Sequence, residues 1–186
     1  MKKFLEKLWF IPITVRLVEV TIHSDRRLAC EVLTAWGTTK VGDKPAARVM
    51  REQDKGQLIE FHTPIMSMLG VNYVARTLER VVVTEPKHIS FEGVEGIVPR
   101  MICQFHLDEW GDCTRFRYET EFAIHGSVFG WIFGVTFVRL AMHSMMKKHS
   151  LEIKETIEKR ASRSRVYPQK DCPSSEGAEQ VTATVA

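Results

Sequence analysis

The side chains equipped for chemistry are seven histidines, four cysteines and a spread of carboxylates. Their spacing points away from most reactions. Cys30, Cys103, Cys113 and Cys172 are scattered, with no CxxC pair and no interval that a zinc site uses. Reduced thiols in the cytoplasm are the simpler expectation. His62, His88 and His106 fall in expected strands, and His143 and His149 in an expected helix. None makes an i,i+4 pair backed by a carboxylate, so no metal is expected. Acid–base catalysis needs titratable groups inside a pocket, in environments that pull their pKa values apart. Glu119 and Glu121 share the outward face of a strand with Arg115 and Arg117. Arg76, Glu79 and Arg80 are harder to phase: one could point inward, but surface cross-strand ion pairs explain them better. No catalytic residue and no cofactor is therefore expected.

The elements that would position these groups follow from periodicity. Val15 to Ile22 reads as a strand with Val18, Val20 and Ile22 on one face. Ser24 is placed to cap a short helix carrying Leu28, Val32 and Trp36 and ending near Gly37. Three hairpins follow, turning at Asp54-Lys55-Gly56, Glu85-Pro86-Lys87 and Trp110-Gly111-Asp112. Alternation is clearest at their end: Met101, Cys103, Phe105 and Leu107 match Phe116, Tyr118, Thr120 and Phe122 as a dry face. A sheet dry on one side needs an apolar cover. Ser127 to Ala161 supplies it, because Val128, Trp131, Val135, Val138, Met142, Met146, His149, Ile153 and Ile157 recur every three or four residues on a proline-free helix.

With 186 residues, 44% hydrophobic and 26% charged, the chain suits one globular domain. Residues 1–14 read as an N-terminal amphipathic segment, 15–161 as the domain, and 162–186 as a disordered tail of Ser, Arg, Pro, Gly, Glu and Thr. Glu6 and Lys7 interrupt the apolar stretch that a secretion signal needs. A net charge of +3 makes no case for nucleic acid. Phe129, Trp131, Ile132, Phe133 and Phe137 cannot all lie on one stripe. Their expected partner is the Phe4, Leu8 and Trp9 segment, a second subunit in a homodimer, or a peripheral membrane surface.

The order strand, short helix, antiparallel meander, long C-terminal helix resembles the START-like (SRPBCC) superfamily, which includes polyketide cyclases, birch pollen allergens and lipid-transfer domains. The local echoes are Val20-Thr21-Ile22-His23-Ser24-Asp25 running into Glu31-Val32-Leu33, then Thr84-Glu85-Pro86-Lys87-His88-Ile89-Ser90-Phe91, then Thr114-Arg115-Phe116-Arg117-Tyr118-Glu119. Asp25 and Arg26 stand where the family usually has a proline, and Trp36 comes late in its helix. The resemblance implies an α+β helix-grip fold, a curved antiparallel sheet wrapped around the long C-terminal helix, with an apolar pocket between them. Phe61, Phe91, Phe105, Phe116, Tyr118, Val138, Met142, Met146 and His149 are the expected ligand-binding residues. The expected function is binding or carriage of a hydrophobic small molecule. A cyclase- or aromatase-type enzyme and a protein-interaction module with a filled core are the alternatives.

Overall fold

Alternation along the chain builds one sheet whose apolar side has to be covered, and the cover is the C-terminal helix. The computed structural model describes residues 10–38, 40–41, 44–53, 56–68, 71–96, 100–125 and 128–172. The strands are β1 (Phe10–Thr14), β2 (Val18–Ile22), the two-residue pair β3 (Lys40–Val41) and β4 (Lys44–Pro45), β5 (Ala47–Gln53), β6 (Gly56–Met68), β7 (Val71–Thr84), β8 (His88–Glu95), β9 (Ile102–Trp110) and β10 (Cys113–His125). Helix α1 spans Arg26–Leu33, α2 spans Val128–Phe133, a π-helical turn covers Gly134–Val138, and α3 spans Arg139–Ala161. The main sheet has eight strands in the order β1-β10-β9-β8-β7-β6-β5, with β2 also pairing β10. All its pairs are antiparallel. The α+β helix-grip architecture expected from the sequence is present.

One detail of register explains the start of the chain. Residues 10–14, expected inside the amphipathic segment, are a strand, while residues 1–9 with Phe4, Leu8 and Trp9 lie outside the described residues. Thr14 pairs with Glu121 and Val18 with Tyr118, so four steps on one side match three on the other. One extra residue in this stretch reverses which alternate residues face inward. Ile13 and Val15 are buried before it, and Val18 and Ile22 after it, so apolar side chains stay inside across the switch.

Two local expectations are corrected at α1 and along the long helix. Asp25, not Ser24, is the N-cap of α1, its carboxylate accepting a hydrogen bond from the Arg27 N–H at 2.7 Å. Ser24 is instead buried, and its carbonyl accepts from the Thr114 hydroxyl at 2.7 Å. The stripe on the long helix also shifts. Its inward residues are Met142, Met146, Ser150, Ile153, Ile157 and Ala161, so a step of four after Met146 puts Ser150 where His149 was expected. His149 and Trp131 are exposed.

Ser162 to Cys172 departs most from expectation. Tyr167 packs against the larger core, the Lys170 N–H donates to the His23 carbonyl at 3.1 Å, and Cys172 is disulfide-bonded to Cys113 with a Cα–Cα distance of 5.6 Å. This first part of the tail docks, contrary to the expectation of disorder from Ser162. Residues 173–186 lie outside the described residues. The disulfide also overturns the reading of all four cysteines as reduced thiols, and with it that argument for the cytoplasm. Cys30 and Cys103 remain free and buried. Scattered spacing could not reveal the bond, because Cys113 and Cys172 are 59 residues apart and meet only when the chain folds back past α3.

The apolar side chains divide into two cores. The larger contains Ile22, Leu28, Ile59, Val81, Ile89, Phe91, Phe105, Leu107, Phe116, Ile153 and Ile157, with Trp36 and Phe61 against it. The smaller contains Ile13, Val15, Val18, Phe122, Met142 and Met146, with Val135 and Val138 against it. Among the described residues, Met101 and Tyr118, both partly buried, touch both cores.

Candidate functional site

Aromatic rings form a continuous run on the inner side of the domain. Trp36 meets Phe61 at a centroid distance of 5.8 Å, Phe61 meets Phe91 at 6.1 Å, Phe91 meets Phe105 at 4.8 Å, and Phe105 meets Tyr118 at 4.7 Å. The pairs are edge-on or tilted, the arrangement that ring quadrupoles favour. His149 closes the run at 6.4 Å from Tyr118. The structure thus brings together six of the nine expected residues: Phe61, Phe91, Phe105, Phe116, Tyr118 and His149. It places Val138, Met142 and Met146 in or against the other core. Phe116 and Met146 are fully enclosed and serve as packing, whereas Phe61, Tyr118 and Val138 keep part of their surface open.

Beside Cys103 and Tyr118 lies a polar set built around Glu79. Glu79 is 8% exposed on the inner face of β7, and the Thr77 hydroxyl donates to its Oε1 at 2.8 Å. Its register partner on β8 is Gly93, against which Met101 packs. On β9 and β10, the Thr120 hydroxyl lies 3.4 Å from Cys103 Sγ and the Tyr118 hydroxyl 4.0 Å from the same sulfur.

Burial sets the protonation of this group. Desolvation raises the Glu79 carboxyl above the ordinary glutamate range, against a smaller opposing effect from the Thr77 hydrogen bond. Desolvation likewise pushes the Cys103 thiol up to about 11 and the Tyr118 phenol above its usual value. The Cys103 thiol and the Tyr118 phenol keep their neutral forms. His149 is exposed as a residue, yet desolvation holds its imidazole below the usual histidine range, with Glu152 opposing.

Glu79 corrects the expectation that Arg76, Glu79 and Arg80 would all make surface ion pairs. Arg76 pairs with Glu60 at 2.5 Å and Arg80 with Glu92 at 2.7 Å, both outward. Glu79 lies between them in a strand of period two and so must point in. That was the available signal: two outward arginines four apart fix the phase of the residue between them. The three valines Val81, Val82 and Val83 obscured it by supplying apolar side chains to both faces.

The outer face holds further polar groups. His88 and His106 lie with ring centroids 4.7 Å apart, His106 Nε2 is 3.9 Å from Glu119, and Arg117 pairs with Asp108 at 2.7 Å. These are cross-strand neighbours on a wet surface. Among the described residues no three His, Cys, Asp or Glu side chains gather as a metal site, and no helix is long and apolar enough to cross a membrane. An open groove at the end of α3, lined by Thr156, Lys159, Arg160, Arg163 and Ser164, is separate from the inner site. Its cations sit at a helix C-terminus, where the backbone dipole favours them.

No family model matches the chain. No curated protein is similar to it in sequence. Its likeness is to solved structures. The protein TTHA0849 from Thermus thermophilus superposes with a TM-score of 0.62 at 13% identity, over 81% of this chain and 100% of that one. The Zhui aromatase/cyclase from Streptomyces sp. R1128 gives a TM-score of 0.59 at 14% identity, over 84% and 98%. A START superfamily protein from Mycobacterium smegmatis gives 0.55 at 10% identity, over 82% and 99%. At these identities the likeness shows the fold, which is START-like.

Proposed function

We propose that the chain binds a hydrophobic small molecule between its curved sheet and C-terminal helix, as a carrier or binding protein. The observation that carries this reading is the division of the interior. A domain of this size packs one main core with smaller satellite clusters. Here, among the described residues, the main and the smaller core meet at the partly buried Met101 and Tyr118, with the aromatic run and the Glu79 set beside the main core. Apolar walls with a few convergent polar groups are the usual composition of a small-molecule site. The START-like fold supports the reading, since one structural neighbour is an aromatase/cyclase and such a protein must accommodate its substrate.

Glu79 favours a second reading, an enzyme of the cyclase or aromatase kind. An inward acid is the feature such chemistry needs, and the inner face has one. The two readings share a pocket and differ in turnover.

Native mass spectrometry of freshly purified protein, followed by solvent extraction, tests the shared part. An adduct of a few hundred daltons released into the organic phase is expected. Bare chain mass together with no uptake of a fluorescent apolar probe would refute it. Chemical change of the extracted compound on incubation with fresh protein would select the enzyme.

A further inference from the structure

We propose that the outward side of residues 131–148, from the end of α2 through the π-helical turn into α3, docks on the surface of a membrane containing anionic phospholipid. The inference is independent of what the interior holds.

The inward residues of this stretch, Gly134, Met142 and Met146, are buried, which leaves the opposite side to solvent. That side is apolar at its start. Phe133, Phe137 and Leu140 are each more than half exposed, and Trp131 and Ile132 more than two-fifths. The Phe133 and Phe137 rings stack at 5.5 Å, and Leu140 follows Phe137 at the three-residue step that keeps neighbours on one helix face. The link between β1 and β2 extends the patch. There the Arg16 carbonyl lies 3.1 Å from His143 Nδ1, which places exposed Arg16 and Leu17 beside α3. A contiguous patch of large apolar side chains rimmed by polar groups marks an interaction surface, whereas single exposed residues do not.

Charge decides what covers it. Between Glu121 and Glu152 the sequence has no acidic residue, while Arg139, Lys147 and Lys148 are all exposed. Among the described residues Arg16, Arg139 and Lys147 make no ion pair. Further along α3 the cations are matched, Lys148 with Glu152 at 3.9 Å and Lys154 with Glu158 at 2.7 Å. A two-fold contact between copies is self-complementary, so it would set these positive charges against one another with no acid in the stretch to offset them. A bilayer takes both halves of the pattern. Its acyl boundary receives the aromatic and leucine side chains, and its phosphates and carboxylates receive the cations. Among the described residues no helix is long and apolar enough to cross a membrane, so the contact lies along the surface.

The test uses the full chain and vesicles of two compositions, phosphatidylcholine alone and equal parts phosphatidylcholine and phosphatidylserine, with binding read by co-sedimentation. Wild type is expected on the mixed vesicles, with affinity falling as salt is added. Lys147→Gln with Lys148→Gln should weaken that binding about tenfold, since a cation near an anionic surface contributes roughly fivefold and Lys148 shares its charge with Glu152. Phe137→Ser with Leu140→Ser should weaken it at least about tenfold with an unchanged circular dichroism spectrum, because both side chains lose burial in the acyl boundary. Bromine-labelled acyl chains should quench wild-type tryptophan fluorescence, and the conservative Trp131→Phe should lose that quenching while still binding. Wild type absent from the mixed vesicles at low salt overturns the proposal. Binding equal in wild type and both double variants, or quenching undiminished in Trp131→Phe, places the lipid contact elsewhere and also overturns it. A dimer in sedimentation equilibrium that the serine variant dissolves would assign the face to a second copy instead. None of these outcomes bears on uptake of a small molecule, which is measured without vesicles.

Discussion

Cutting the bond between Cys113 and Cys172 should cost the domain a measurable part of its stability, and Cys172→Ser is the perturbation of choice. Cys113 is buried at the start of β10, so replacing it would also disturb packing, whereas Cys172 is only partly buried. The bond closes a loop of 59 residues. In the chain-entropy treatment a loop of that length removes roughly 4 kcal/mol of conformational freedom from the unfolded state, with about 2–4 kcal/mol the usual yield. The docked segment retains Tyr167 against the core and the Lys170-to-His23 hydrogen bond, so the native contacts persist in the variant. Guanidinium denaturation of wild type with and without reductant, beside Cys172→Ser, reads the difference. Reduced wild type and the variant should lose similar stability, and truncation after Ser162 should lose more because it also removes Tyr167. Thiol titration of denatured protein prepared without reductant should find two free thiols, Cys30 and Cys103. Four reactive thiols, or a midpoint indifferent to reductant, would refute the reasoning.

Glu79 should also mark the pH dependence of stability. Its folded pKa is raised, so the native state binds more protons than the unfolded chain between the two values, and stability falls as pH rises through that window. Glu79→Gln removes this slope, so the variant should gain on wild type as pH rises above the ordinary glutamate range, which urea denaturation at several pH values would detect. Met142→Trp should overpack the smaller core, where Met142 is enclosed by Ile13, Val15, Val18, Phe122 and Met146, and cost about 1–3 kcal/mol. A thermal midpoint unchanged in this variant would mean that open space adjoins Met142. Phe137 and Leu140 are 66% and 69% exposed, so Phe137→Ser with Leu140→Ser should shift stability by no more than about 1 kcal/mol. A larger loss by differential scanning calorimetry would show that residues 1–9 or a second copy cover this face.

Local sequence carries the set of elements and the inward face of most of them. The antiparallel meander, its turns at Glu85-Pro86-Lys87 and Trp110-Gly111-Asp112, and the long helix were legible because each rests on a local period and on turn residues at fixed offsets, while residues 54 and 55 of the first expected turn lie outside the described residues. Phe105 against Tyr118 was legible for the same reason, since alternation in two consecutive strands places both on one face. The resemblance to START-like proteins then supplied the arrangement of those elements, which period alone does not encode.

The remaining features come from folding in three dimensions, and in each case the reason is an interaction between residues far apart in the chain. β1 exists because residues 10–14 find the far half of β10, and nothing local in Phe-Ile-Pro-Ile-Thr requires it. The inward residue after Met146 is Ser150 because the helix as a whole must lie on the sheet, and steps of three and four are equally permitted by a period of 3.6. Cys113 meets Cys172, and Tyr167 meets the core, only once α3 has set the direction in which the chain returns. Glu79 joins the inner site because its phase is fixed by pairing with β6 and β8. Its carboxyl is raised above the ordinary glutamate range by desolvation among several strands, an environment that no single strand creates.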